Sequence, residues 1–169
     1  MDFFSILILF FIILIYTIFT GIFYDAIWIP TRKKDYDRIA QLADLRPGIT
    51  FYDLGSGSAN ILFYFSKKYD INCVGIEISL FWYFYSKIKS LFYKKVKIKY
   101  GNFYKHGISQ ADVIYVFLLP EAYPKLKNKI DKELKGGSKL ILSYWPFEDR
   151  ELINVNKKEG LAPYYLYQK

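Results

Sequence analysis

One cysteine and one histidine are all that 169 residues hold of the side chains that most often carry covalent or metal chemistry. Cys73, in the apolar run INCVGIEI, has no partner for a disulfide and none for a multi-cysteine metal site; it reads as a small buried core residue. His106, in the turn-like YKHGIS, leaves a Ser-His-Asp triad or a two-histidine zinc site little to build on, and reads as a loop residue. Internal repeats and low-complexity linkers are absent as well, so the prior is one globular domain plus an appendage.

Charge is missing from the first segment. FFSILILFFIILIYTIFTGIFY, Phe3 to Tyr24, has no charged residue, and as a helix it would reach roughly 33 Å, against about 30 Å of bilayer core. The chain begins Met1-Asp2 without a basic start, and the run ends in Tyr24, Trp28 and Pro30 without a small-residue cleavage site. Residues 1–29 are therefore expected to be an uncleaved single-pass membrane anchor, with Tyr24 and Trp28 at the interface. Arg32, Lys33 and Lys34 follow, and the positive-inside rule puts residues 30–169 in the cytoplasm. All 24 Lys and Arg lie beyond residue 31 while Asp2 and Asp25 lie before it, so the part from residue 30 onward carries +10. Such a surface suits anionic lipid headgroups, with nucleic acid the competing partner.

Beyond the anchor the hydrophobic period alternates. DYDRIAQLADLRPG predicts a helix over about 35–45, stopped by Pro47-Gly48. Strands are expected at ITFYDLG, NCVGIEI, KVKIKYGN, ADVIYVFLLP and SKLILSYW, and helices at ANILFYFSKKY, LFWYFYSKIKSLFY and EAYPKLKNKIDKELKGG. The tail, ELINVNKKEGLAPYYLYQK, reads as two strands around a Lys-Glu-Gly turn. This order implies an α/β fold: a Rossmann-like, doubly wound, mostly parallel sheet with an antiparallel C-terminal hairpin.

The first strand-to-helix turn, FYDLGSGSAN, is where an open α/β sheet binds a nucleotide-like ligand. From Gly55 the spacing runs Gly55, Gly57 and then Asn60, so the third glycine of a dinucleotide fingerprint is missing; no Gly-Lys-Ser/Thr follows, which excludes a P-loop. What remains is Asp53-x-Gly55-Ser56-Gly57 with a second acid, Glu77, at the end of the second strand. A carboxylate at Asp53 could accept from an ammonium, the glycines allow close backbone approach, and Glu77 could accept from both hydroxyls of a ribose. That pattern fits S-adenosylmethionine; strand-end acids with no ligand are the plainer alternative.

With YDLGSGSAN, VGIEIS, YGNFY, ADVIYVFLLP, PKLKNKIDKELKGGSKLILS, Pro30-Thr31 and the N-terminal hydrophobic helix in this order, the chain resembles the class I, seven-strand S-adenosylmethionine-dependent methyltransferases. The likeness is closest to small protein-lysine methyltransferases, including the membrane-anchored ones that modify the c-subunit of ATP synthase, and their archaeal relatives. The resemblance implies Asp53, Gly55, Ser56 and Gly57 around the methionine part, Glu77 on the ribose, Asn102 and Phe103 at the adenine, and Thr31 closing over the cofactor. It implies no metal. Ala59 stands where a third glycine is usual and is expected to weaken binding without abolishing it, unless its φ is positive. Ser143-Tyr144 replaces the family's Ser-His.

The acceptor side is expected among Phe117, Leu118, Leu119 and Pro120, with Ser143 and Tyr144. FLLP is not the Asn/Asp-Pro-Pro-aromatic motif of amino-group methylation on bases, which argues against nucleic acid. The expectation is a monomer that methylates lysine side chains of a membrane-associated protein, with the bilayer as its other partner. Methylation of a lipid or quinone, and a catalytically inactive binding module, are the alternatives. In LFWYFYSKIKSLFY the aromatics are too many for one buried stripe, so either some tyrosines are merely exposed or the helix lies on the bilayer surface.

Overall fold

The computed structural model describes residues 2–23 and 29–169, the side chains of Leu14 and of residues 17–23 excepted. Among the described residues seven strands form one sheet: β1 (Thr50–Leu54), β2 (Asn72–Glu77), β3 (Val96–Tyr100), β4 (Val113–Val116), β5 (Lys139–Ser143), β6 (Asn154–Asn156) and β7 (Tyr164–Gln168). Their order is β3-β2-β1-β4-β5-β7-β6. The first five are parallel, and β7 runs antiparallel to both β5 and β6. The expected doubly wound sheet with an antiparallel end is therefore present, β7 being the strand that reverses direction.

Alternation along the strands builds two cores. Phe51, Cys73, Val113, Tyr115, Ile141 and Tyr164 face α2 (Tyr36–Ala43) and α3 (Asn60–Tyr69), while Tyr52, Leu54, Ile76, Ile114, Val116 and Leu142 face α5 (Tyr123–Glu133). α4 (Leu80–Ser90) joins β2 to β3 and buries only Ser86.

Element ends differ from the sequence reading. α2 stops at Ala43 because Asp44 takes φ 53° and its N–H turns back to the carbonyls of Ala40 and Gln41. β4 is only Val113–Val116; the FLLP stretch leaves the sheet, and Pro120–Ala122 makes a tight 3-10 turn before α5.

Ahead of the domain runs α1 (Phe3–Phe23), entered through Asp2, whose Oδ1 accepts the Ser5 N–H at 2.8 Å. Its described side chains end at Tyr16, and most are exposed. Among the described residues no helix is long and apolar enough to cross a membrane. The interfacial residues expected at Tyr24 and Trp28 lie outside the described residues.

Candidate active site

The turn from β1 to α3 passes through three left-handed residues, Gly55 (φ 89°), Gly57 (φ 51°) and Ala59 (φ 54°). The N–H groups of Gly55 and Ser56 both donate to the Ile76 carbonyl, at 2.9 and 3.1 Å, which ties the loop to β2. Ala59 thus meets the condition under which a methyl is not innocent: the left-handed region costs an L-residue roughly 1–2 kcal/mol. Gly75 was not singled out by its sequence, yet a Cβ there would lie 2.6 Å from Ser56 Oγ and 2.9 Å from Leu62 Cδ1. Only glycine lets the loop sit this close to β2.

Two buried acids face the turn. Glu77 Oε2 accepts the Gly57 N–H at 2.6 Å and Oε1 accepts the Ser79 N–H at 2.7 Å. Burial raises its pKa, and the amides of Ser79, Gly57 and Ile78 pull it back. Asp53 has no donor among the described residues; burial, reinforced by the charge of Glu77, pushes its carboxyl up to about 8. The hydroxyls of Ser56 and Ser79 are also buried without a hydrogen-bond partner among the described residues. A buried carboxylate without a cation and two unpaired hydroxyls, around a glycine turn, fit a ligand that brings an ammonium and hydroxyl groups. S-adenosylmethionine meets that requirement: Asp53 would hold its cationic end and Glu77, with acceptor capacity left on its carboxylate, its ribose.

Asn102 and Phe103 follow β3, beside Glu77, because Glu77 pairs with Tyr100 across the sheet. Asn102 Oδ1 accepts the Tyr104 N–H at 2.9 Å, so its amide nitrogen remains the donor for a base edge. The Phe103 ring packs 4.2 Å from that of Tyr104.

Beyond the ends of β4 and β5 lies a cavity of about 80 Å³. Phe117 and Tyr144 stack along one wall, centroids 5.1 Å apart and rings within 17° of parallel. Thr31 Oγ1 stands 2.9 Å from the Tyr115 hydroxyl, which Ser143 also reaches. Asp35 and Tyr164 complete the polar side. Burial holds the Tyr115 hydroxyl far above the usual phenol range, with Tyr164 and Asp53 adding to the rise. Tyr144 has φ 69°, a strained conformation for a bulky residue, and its N–H donates to the Pro163 carbonyl at 3.0 Å.

An ion pair supports this wall from behind. Buried Asp35 binds Arg38 at 2.6 Å and Arg32 at 3.2 Å, while Arg38 also donates to the Asn156 side chain and the Ala162 carbonyl and lies over the Tyr164 ring.

Ser143, Tyr144, Phe117 and Thr31 thus meet in one place. Leu118, Leu119 and Pro120 do not join them. Leu118 is buried in the opposite core with Leu126 and Ile130, Leu119 is half-buried away from the cavity, and Pro120 is exposed at the start of its turn. Neighbouring extended residues point to opposite sides, so Phe117 and Leu118 cannot line one pocket. Tyr115, Tyr164, Asp35 and Arg38 escaped the sequence reading. The available signal was a tyrosine within VIYVF, a strand covered on both faces, where a hydroxyl needs a partner.

The family model described as ANTKMT methyltransferase domain matches residues 53–154. A protein-lysine N-methyltransferase of Saccharolobus islandicus (strain REY15A) is 29% identical over 152 residues, covering 83% of this chain and 91% of that protein. The ATP synthase c-subunit lysine N-methyltransferase of Homo sapiens is 24% identical over 123 residues, 71% of this chain and 52% of that protein, so the chain spans about half the length of that relative. Among solved structures, an RNA methyltransferase from Salinibacter ruber in complex with S-adenosyl-L-homocysteine superposes with a TM-score of 0.79 at 25% identity, covering 83% of this chain and 93% of that one.

Proposed function

The chain belongs to the ANTKMT methyltransferase domain family, and from that premise we propose that it is a membrane-held enzyme that moves a methyl group from S-adenosylmethionine to lysine side chains of a membrane-associated protein. The observation that carries the acceptor is the cavity beside the cofactor turn: an aromatic wall, Phe117 on Tyr144, ending at the hydroxyls of Tyr115, Thr31 and Ser143. At about 80 Å³ it suits one unbranched side chain with a polar tip. An extruded nucleobase is held between aromatic or apolar side chains on both of its faces, whereas here Phe117 and Tyr144 stack on each other along one wall. The two protein-lysine methyltransferase relatives support the same acceptor.

When bound, the cofactor supplies a methyl group on a sulfonium, open to in-line attack by an amine. The chain's own groups bind and align. Ionised Asp53 holds the cationic end, Gly55 and Gly57 bring the backbone close, and Glu77 fixes the turn. Positioning of this kind is worth about 7–11 kcal/mol. Phe117 and Tyr144 exclude water, which disfavours the ammonium form of a lysine whose ordinary pKa is about 10.4. Tyr115 stays protonated and can accept from the amine while donating to Thr31 or Ser143. The aromatic faces accommodate the positive charge that develops on nitrogen.

Attachment through α1, with the domain on the cytoplasmic side, is the reading that the uncharged run Phe3–Tyr24 and the basic Arg32-Lys33-Lys34 that follows favour. The test is transfer of tritiated methyl from S-adenosylmethionine to membrane proteins by the full chain in nanodiscs. Label recovered as methyllysine after acid hydrolysis is the expected result. Label in the extracted lipid phase or in RNA would replace the acceptor, and cofactor binding without any product would make the chain a binding module.

A further inference from the structure

α4 carries an apolar face that is largely exposed among the described residues. Phe81, Phe84, Tyr85 and Ile88 are 46%, 57%, 46% and 61% exposed, and in the turn just beyond, Leu91 and Phe92 reach 76% and 83%. Their spacing places them on one side of the helix, whereas Tyr83 and Tyr93 turn inward onto the core. A continuous patch of this kind marks an interaction surface.

Lysines flank it: Lys87 and Lys89 on the helix and Lys94 and Lys95 just beyond, with Lys95 paired to Asp70 at the end of α3. From Ile78 to Ala111 the chain has seven lysines and no Asp or Glu, but Lys97 and Lys99 alternate with the core-facing Val96 and Ile98 and lie on the other face of the sheet. An apolar stripe edged by lysines, with no acid on the helix or the turn that follows it, matches the boundary of an anionic bilayer, where rings and aliphatic chains enter the headgroup layer and ammonium groups meet phosphates. A second copy of the chain would bring like-charged lysines face to face, and a nucleic acid would leave the apolar stripe in water. α1 approaches the same edge of the sheet, with Tyr16 Oη 3.3 Å from Tyr100 Oη at the end of β3.

We propose that α4 lies flat in the interface of an anionic bilayer and is a second membrane contact, separate from α1 and independent of which acceptor the enzyme methylates.

The full chain, reconstituted into phosphatidylcholine vesicles with and without phosphatidylglycerol, provides the test. Cys73 is buried, so a single environment-sensitive NBD label can be placed through Ile88→Cys, Phe92→Cys or, as a control on α3, Lys67→Cys. The expected result is a blue shift at residues 88 and 92 on anionic vesicles, none at 67, and loss of the shift in Lys87→Glu/Lys94→Glu, with retained S-adenosylmethionine binding reporting an intact fold. Water-like emission at 88 and 92 in anionic vesicles would overturn the proposal. So would an equal shift on neutral lipid, or a shift in detergent that grows with protein concentration, which would indicate self-association.

Discussion

The Glu77 carboxylate receives the backbone amide of Gly57, twenty residues before it, at 2.6 Å. Its other oxygen receives Ser79 N–H, so the acid expected to meet a ribose also holds the glycine turn in shape. The glycine turn and this acid are one hydrogen-bonded unit.

Glu77→Gln therefore resembles a deletion. One carboxamide position must set an N–H2 against a backbone N–H, at a cost of about 1–3 kcal/mol for a buried unsatisfied donor. We expect S-adenosylmethionine affinity to fall at least about tenfold, since 1.4 kcal/mol is a factor of ten, with Glu77→Ala no more than slightly worse. Calorimetric titration distinguishes this from a ribose-only role, in which Gln would be tolerated.

Asp53 should impose a pH dependence in two senses. Its carboxyl titrates at about 8 when buried without a cation, against about 3.9 in an unfolded chain. A raised folded pKa contributes stability that is complete below the unfolded value and is lost as pH rises towards 8. The ligand-free Asp53→Asn variant should thus melt higher than the native protein at pH 8, with the gap closing towards pH 4. Cofactor affinity, needing the ionised form, should rise from pH 6 to 8 in the native protein and stay flat in the variant.

At Ala59 opposing effects nearly cancel. Glycine would relieve roughly 1–2 kcal/mol of left-handed strain, but it frees the unfolded chain by about 0.4–1 kcal/mol and removes one buried methyl worth about 0.8 kcal/mol. Ala59→Gly should leave the melting temperature nearly unchanged. Ala59→Val adds a branched side chain at φ 54° in a buried position and should lower it by several degrees.

Arg38→Leu leaves Asp35 beside the cavity with the exposed Arg32 as its one remaining cation among the described residues, and the Tyr164 hydroxyl. Breaking a buried pair costs about 3–5 kcal/mol, and about 2–4 °C per kcal/mol is expected for a chain this long. The double variant Asp35→Leu/Arg38→Leu should recover part of the loss. Thermal melts of the three proteins check this, and equal melting of single and double variants would show that Asp35 is not what suffers.

Alternation of period was enough to place the strands, helices and cofactor turn, because local patterning reflects which face each element buries. The Asp53 and Glu77 positions were legible for the same reason: both end strands at the same side of the sheet. Register was not legible. Whether Leu118 or Phe117 faces the cavity depends on where β4 leaves the sheet, and the position of Tyr115 beside Asp53 depends on the pairing of β4 with β1. The Arg38 clamp joins residues 118 apart through Asn156, a separation that no window along the chain can connect.

β7 is synthesised after every strand it pairs with, yet it enters between β5 and β6, and its Tyr164 closes one side of the cavity. Until it emerges, β5 presents an open edge, the kind of template on which chains join one another. The growing polypeptide holds the glycine turn and Glu77 well before it holds Tyr164, which lines the cavity. The ability to bind cofactor should precede the ability to use it, and the interval between them is when the chain is most exposed to aggregation.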